Sequence, residues 1–487
     1  MNFIGRNEEK IVLDDFFKSD YPEFLAIYGR RRIGKTFLIK QSFTGQDCFF
    51  FNVTGVQNGK LDTQINRFTQ EVGRIFYQGA EIKERDNWID TFDLLSGAID
   101  KIVPKDKKIV LFFDEFPWMA THKSGLLQAL EHRWNHTWSN DQRIKLIICG
   151  SSASWIIKKI INNKGGLHNR ITRKIHLMPF NLRDTGALLE NQKINLNHKQ
   201  ITELYMMTGG VPYYLLPVEK NQSAAQIIDK LAFQQNSLLF NEFDNLFSSL
   251  FENSGNYIEL LRIIAKSRSG IGQEEIIGQS DEISRGGRTI DRLKELEDTG
   301  FIISFMPHLH KKRGRYYRLI DEYTLFYLDW IEPIKNSLQK NSLQPGYFRE
   351  KHSSPAWHSW AGYAFESICY KHLSQIRKKL DISPSAVANG WRYVPLKRSK
   401  ESGAQIDLLF DRDDDSITIC EIKYTTEPFI ITKSYAENLK NKIAVFKDKT
   451  RTKKQIFLAM ISASGIKNTI YSEEMVQGVV TLEDLFR

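Results

Sequence analysis

The chain has 487 residues, 41% of them hydrophobic and 26% charged, with a formal net charge of +10. That length sustains two to four domains with separate cores, and that composition excludes a disordered or fibrous chain. No window approaches 18 uncharged apolar residues, which predicts no membrane-spanning helix, and the basic balance favours a polyanionic partner.

The opening "MNFIGRNEEK" carries charge where an export signal has an apolar core. Cys48, Cys149, Cys369 and Cys420 are far apart and lack metal spacing, which fits a reducing cytoplasm. From residue 1 to about 180, the apolar runs "FLAIYG", "DCFFFNVTG", "KIVLFFDEF", "RIKLIICGSS" and "RKIHLMPF" alternate with helical patterns. Continuous apolar strands separated by helices predict a parallel sheet covered on both faces.

"GRRRIGKT", comprising Gly29, Arg30, Arg31, Arg32, Ile33, Gly34, Lys35 and Thr36, fits the phosphate-loop pattern G-x-x-x-x-G-K-[ST]. It follows a predicted strand, Phe24 to Tyr28, and opens the helical stretch "TFLIKQSF". Loop N–H groups and a helix N-terminus suit phosphates, so Lys35 is expected at the β- and γ-phosphates and the Thr36 hydroxyl on Mg²⁺. "KIVLFFDEF" sets Asp114 and Glu115 at a strand end. Asp114 suits the Mg²⁺ shell, and Glu115 suits the polarisation of an attacking water. ATP and Mg²⁺ are the expected cofactors. His132 and His136 have no Glu between them as in H-E-x-x-H, which argues against zinc there.

Residues 181–250 read as helical, with "TELYMMTGGVPYYLL" supplying a Gly-Gly stop and a Pro restart. Residues 251–325 have the rhythm of a winged helix: three helices, then two β-rich runs around a basic turn. Arg285, Arg288 and Arg292 fall on the predicted recognition helix. Lys311, Lys312 and Arg313 belong to a stretch from His308 to Arg318 with five Lys or Arg and no acid. This pattern suits a phosphate backbone, and equally a protein contact or a lid on the ATPase. A helical connector, 326–349, contains "SLQPGYF".

A second α/β pattern fills 350–487. In "SITICEIKY", Glu421 and Lys423 share one face at the end of an apolar strand. Asp407 lies fourteen residues earlier in "SGAQIDLLFD", and the acidic turn "DRDDD" joins the two strands. Two neighbouring carboxylates repel unless a divalent cation joins them, and oxygen ligands suit Mg²⁺ or Mn²⁺. Lys423 is placed to orient water or to stabilise charge at a phosphate. Glu366 in "GYAFESICYKHL" adds a third acid from a preceding helix. Residues 433–454, with Tyr435 and Lys440, hold eight Lys or Arg against two acids, which suits a nucleic-acid groove or a solvated helix face.

In order, "FIGRNEEK", "GRRRIGKT", "FFDEFPW", "IICGSSASW" and "TGGVPYYL" resemble the archaeal-type ATPases of the AAA+/STAND group, and the resemblance runs the length of the chain. It implies that Phe3 to Arg6 lie near the adenine and that Cys149 to Ser152, with Ser151, read the γ-phosphate. It implies that Arg170 or Arg173 acts on the nucleotide, and that Gly209 to Pro212 turn the helical lid. The set Glu366, Asp407 and Glu421-x-Lys423 resembles the PD-(D/E)xK nuclease fold. That resemblance implies Asp407 and Glu421 as metal ligands, Lys423 as the catalytic lysine and Glu366 as an accessory acid. Ile406 stands where many such nucleases have proline.

The expected fold is α/β. A P-loop ATPase core spans 1–180, a helical lid 181–250, a winged helix 251–325, a connector 326–349 and a restriction-endonuclease-like domain 350–487. Three functions fit: an ATP-dependent DNA-processing or defence protein with a metal-dependent nuclease-like domain; a regulatory ATPase switch whose C-terminal domain only binds nucleic acid or protein; and a chaperone-like ATPase. The expected partners are nucleic acid, DNA first, and further copies of the chain, with no membrane and a cytoplasmic location.

Overall fold

The structure is a computed structural model. It describes residues 4–162, 165, 167, 169–234, 236–279, 287–306, 314–340, 346–395 and 401–487. The chain divides into two compact units, Met1–Met178 and Pro179–Arg487. No helix among the described residues is long and apolar enough to cross a membrane.

The first unit is built on strands β1 (Glu23–Tyr28), β2 (Cys48–Thr54), β3 (Lys108–Asp114), β4 (Ile144–Gly150) and β5 (Arg173–His176). Their order is β2-β3-β4-β1-β5, and every pairing is parallel. All seven residues of β4 are buried, as a central strand with both faces covered requires. Parallel neighbours need crossovers, and the helices Leu61–Phe76 and Trp88–Ile102 lie between β2 and β3 in the chain. These helices bring Phe68, Trp88 and Phe92 onto Phe51 and Phe113, with ring centroids 5.2–6.0 Å apart. Tyr28 pairs with Gly150, and Phe113 with Ile148. The ends of β1, β3 and β4 therefore open on one edge, where ligands of such sheets bind.

The second unit begins with five helices between Leu182 and Leu250. Gly209 and Gly210 end the helix His198–Thr208 at φ of 60° and 69°, and a Cβ on Gly210 would collide with the Phe180 carbonyl oxygen. The helices Ser254–Ala265, Gln273–Gln279 and Gly287–Asp298 then accompany β6 (Ile271–Gly272), β7 (Ile302–Phe305) and β8 (Tyr316–Leu319). These strands form an antiparallel sheet in the order β6-β8-β7.

The C-terminal sheet contains β9 (Val387–Tyr393), β10 (Ala404–Asp411), β11 (Ser416–Lys423), β12 (Gln455–Ser462) and β13 (Gly478–Val480), in the order β13-β12-β11-β10-β9. It is mixed: β9, β10 and β11 run antiparallel, whereas β11, β12 and β13 run parallel. The helix Lys433–Thr450 covers Ile417 and Ile419 through Leu439 and Phe446.

His372 ties two helices of this unit together. Its Nδ1–H donates to the Ile368 carbonyl at 2.8 Å, and its Nε2 accepts from the Leu182 N–H at 3.1 Å. A proton on Nε2 would face that N–H, and burial pulls the imidazole down to about 4. The folded chain thus keeps His372 neutral where the unfolded chain protonates it. Its stabilising contribution is complete above the unfolded value of 6.5 and is lost as pH falls toward 4, about 3 kcal/mol in all. Denaturant unfolding across that window should show a smaller pH slope in His372→Gln than in the native chain. Equal slopes would remove the role.

Candidate functional site

The nucleotide loop grows out of β1. The chain turns at Gly29, where a Cβ would collide with the Leu177 carbonyl oxygen, and reaches helix α1 (Lys35–Phe43) through Gly34 at φ 91°. Glycine caps α1 without a side-chain hydrogen bond, so the first-turn N–H groups stay available to an anion. Lys35 is buried and folds back into the loop, its Nζ donating to the carbonyls of Gly29 at 2.9 Å and Arg30 at 2.8 Å. Arg30 is buried as well, while Arg31 and Arg32 are half-buried. The Thr36 hydroxyl donates to Asp114 Oδ2 at 2.8 Å, joining the start of α1 to the end of β3.

An ammonium enclosed by the loop, a bare helix start, and a hydroxyl against a buried carboxylate form a donor set that fits a triphosphate with Mg²⁺. Arg6 completes the rim. Its Nη1 donates to the Met178 carbonyl at 2.6 Å and its Nη2 to the Ile33 carbonyl at 3.1 Å. The run "FIGRNEEK" reaches this place through Arg6, while Phe3 lies outside the described residues. No local pattern marked Arg6 as the tether, because the two carbonyls it holds stand 27 and 172 residues away, although it also bonds the nearby Glu9 at 3.3 Å.

Glu115 follows β3 in the left-handed region at φ 44°. Its Oε2 accepts from the Ser151 backbone N–H at 3.0 Å and from the Ser151 hydroxyl at 2.8 Å. The carboxylate suited to polarising water and the residue expected to read the γ-phosphate thus hold each other. Cys149, beside Asp114, is no nucleophile: burial pushes its thiol well above the usual range.

Arg170 and Arg173 stand elsewhere. Arg173 opens β5 and pairs with Leu25, and its guanidinium bonds Glu23 Oε1 at 3.2 Å. Arg170 is exposed in the turn before β5. The loop leaves the other end of β1, three residues beyond Leu25, or roughly 10 Å along the strand at ~3.3 Å per residue. Strand direction thus places Arg173, expected with Arg170 to act on the nucleotide, toward the edge of the sheet opposite the loop.

A second cluster lies in the C-terminal sheet. β10 pairs with β11 through Leu408 and Cys420, so Asp407 and Glu421 follow side by side. Asp407 Oδ2 accepts from the Ile422 N–H at 3.4 Å. Burial, with Glu366 and Glu421 nearby, pushes the Asp407 carboxyl up to about 7. Glu421 is held the other way. Although burial alone would raise it, Lys423 and Lys442 keep its carboxyl below the ordinary range. Lys423 Nζ lies 3.0 Å from Oε1, Lys442 Nζ lies 2.8 Å from Oε2, and the Tyr435 hydroxyl donates to Oε1 at 2.6 Å.

Lys442 escaped the reading of the sequence, which singled out Lys440. Lys440 instead pairs with Glu474 on the surface. The missed signal is the seven-residue step from Tyr435 to Lys442, two helical turns along one face.

Glu366 belongs to another pair. Its Oε2 bonds the buried Arg318 of β8 at 2.9 Å, and the rings of Tyr363 and Tyr370 lie 5.3 and 5.1 Å from that guanidinium. Of the expected metal set, Asp407 and Glu421 stand side by side, whereas Glu366 pairs with Arg318. Among the described residues no three His, Cys, Asp or Glu are grouped as metal ligands, and lysine and arginine occupy two of these three carboxylates. Of the cations expected at nucleic acid, Arg288 is exposed on the helix Gly287–Asp298, whereas Arg285, Lys311, Lys312 and Arg313 lie outside the described residues.

Comparison with known proteins addresses the first site. The family profile described as an ATPase domain predominantly from Archaea matches residues 3–218. An uncharacterized protein of Methanocaldococcus jannaschii is 26% identical over 427 residues, covering 87% of each chain. The Walker-type ATPase of Pyrococcus abyssi is similar at a TM-score of 0.47 and 16% identity, over 67% of this chain and 96% of that one. The ORC2 protein of Aeropyrum pernix is similar at 0.41 and 17%, over 70% and 96%. The profile match covers the phosphate loop, Asp114, Glu115 and Ser151, and the chain thus carries, across residues 3–218, an ATPase domain of the archaeal type.

Proposed function

We propose that the chain is a Mg²⁺-dependent ATPase switch whose second unit acts on nucleic acid. The Thr36–Asp114 hydrogen bond beside the enclosed Lys35 carries the ATPase half. Lys35 faces the β- and γ-phosphates, and Thr36 and Asp114 hold Mg²⁺. When bound, Mg²⁺ neutralises phosphate charge. Glu115 orients and polarises the attacking water, and Ser151 reads the γ-phosphate. Arg170, exposed in the turn before β5, is the arginine read as acting on a nucleotide, and a homo-oligomer would offer it the nucleotide of another copy.

For the second unit, the succession of three helices with β6, β7 and β8 supports the winged-helix reading. Net charge of +10 and the exposed Arg288 favour a polyanion as its partner. A metal-dependent nuclease is the second reading, favoured by the elevated carboxyl of Asp407 beside Glu421 and Lys423. The residues do not fit a divalent cation as they stand, because both oxygens of Glu421 already bond lysine. For that reason the switch comes first.

One experiment separates the two. The full chain is incubated with end-labelled single- and double-stranded DNA, ATP and Mg²⁺ or Mn²⁺, and phosphate release and strand length are both read. ATP turnover should rise severalfold with DNA while the strands stay intact. Cleavage that disappears in Asp407→Ala would establish the nuclease. Turnover indifferent to DNA, with no DNA bound, would overturn the nucleic-acid output and leave the ATPase.

A further inference from the structure

Strand β2 ends at the nucleotide edge of the first sheet, where its last residue, Thr54, pairs with Asp114. The loop that follows, residues 55–60, passes beside Glu115. The Gly55 N–H donates to the Asp114 carbonyl at 2.9 Å, one bond beyond the last strand pair. A Cβ on Gly55 would stand 2.7 Å from the Glu115 carbonyl oxygen and 3.0 Å from the Met119 side chain. The loop and the turn that carries Glu115 are therefore packed main chain against main chain.

One side chain holds that loop. Gln64 lies near the start of the helix Leu61–Phe76 and is 2% exposed, among the residues that send Ile65, Phe68 and Val72 into the core. Its Oε1 accepts from the Val56 N–H at 2.9 Å. Its Nε2 donates to the Val56 carbonyl at 2.7 Å and to the Gly59 carbonyl at 3.3 Å. The amide thus does what a neighbouring strand would do, pairing with both main-chain groups of one residue. A buried polar group costs free energy unless its hydrogen bonds are made. Among side chains of this length, glutamine alone carries an acceptor and two donors at its tip.

We infer that Gln64 is a positioning residue for ATP hydrolysis: by clamping the loop, it fixes the turn that aims the Glu115 carboxylate at water. The inference rests on the role given to Glu115 above and adds what keeps that carboxylate in place. Ser151 holds the carboxylate itself, whereas the loop backs the main chain that carries it. That main chain stands at φ 44°, which a residue other than glycine keeps only where its surroundings impose it. A displacement of about 1 Å in a reacting group costs up to about 100-fold in rate. Gln64 bonds the loop and not the groups that face the phosphates, so its effect falls on kcat.

Steady-state ATP hydrolysis by the full chain tests it. Gln64→Met, similar in length but without the amide, should lower kcat about tenfold and leave KM unchanged. Gly55→Ala, whose new methyl presses on the Glu115 carbonyl, should do the same. It reaches the turn without touching Gln64, and so reports on the loop even if Gln64→Met folds poorly. In a Glu115→Gln background, followed with radiolabelled ATP, Gln64→Met should have no further effect, because the group it positions is already disabled. A purely structural role would lower the rate equally in both backgrounds. Native kcat in Gln64→Met and Gly55→Ala would overturn the inference, as would a loss that persists undiminished in Glu115→Gln. A raised KM with unchanged kcat would overturn it too, because the loop would then serve binding. None of these three results touches Glu115 as the base. Native turnover in Glu115→Gln would instead remove the reading on which the inference rests.

Discussion

Lys35→Ala should abolish tight ATP binding, by about 10²–10³-fold, the scale on which removal of one buried electrostatic partner is felt. The side chain is enclosed by the loop and carries the ammonium that faces the phosphates. Its truncation also leaves the carbonyls of Gly29 and Arg30 without their donor, at about 1–3 kcal/mol for a buried group left unsatisfied. A modest fall in the melting temperature of the first unit should therefore accompany the loss of binding. Titration of a fluorescent ATP analogue measures the first effect and calorimetric melting the second. An unchanged Kd would show that the loop does not hold phosphate through Lys35.

Glu115→Gln should leave ATP binding intact and lower turnover about 10²–10⁴-fold, the usual contribution of a positioned general base. The amide oxygen of glutamine still accepts from Ser151, so the end of β3 and the neighbouring Asp114 keep their places. What is lost is the charge that draws a proton from water. Phosphate release under saturating ATP separates this from a binding defect. Equal rates in the variant and the native chain would assign the chemistry to another group.

The two sites differ in how far the chain's local pattern discloses them. The nucleotide loop is contiguous, and Asp114 and Glu115 end the apolar run Ile109–Phe113; fixed spacing beside a strand is a local property. The short acidic turn between β10 and β11 is local too. A turn of that length forces antiparallel pairing, and the pairing sets Asp407 beside Glu421.

Periodicity says which face of an element is apolar but not which element will cover it. Strand order in the first sheet, β2-β3-β4-β1-β5, brings together runs that are distant in the chain, and only that order sets Arg173 beside Leu25. The same holds for charge. Arg173 finds Glu23 across 150 residues, Arg318 finds Glu366 across 48, and Lys442 finds Glu421 across 21. By itself the sequence determined the phosphate loop, the strand runs and the candidate acids, because each depends on neighbours in the chain. Tertiary structure alone decided that two of the three C-terminal acids are already paired with cations. A buried carboxylate recruits whichever cation packing brings within reach, and sequence spacing does not encode that reach.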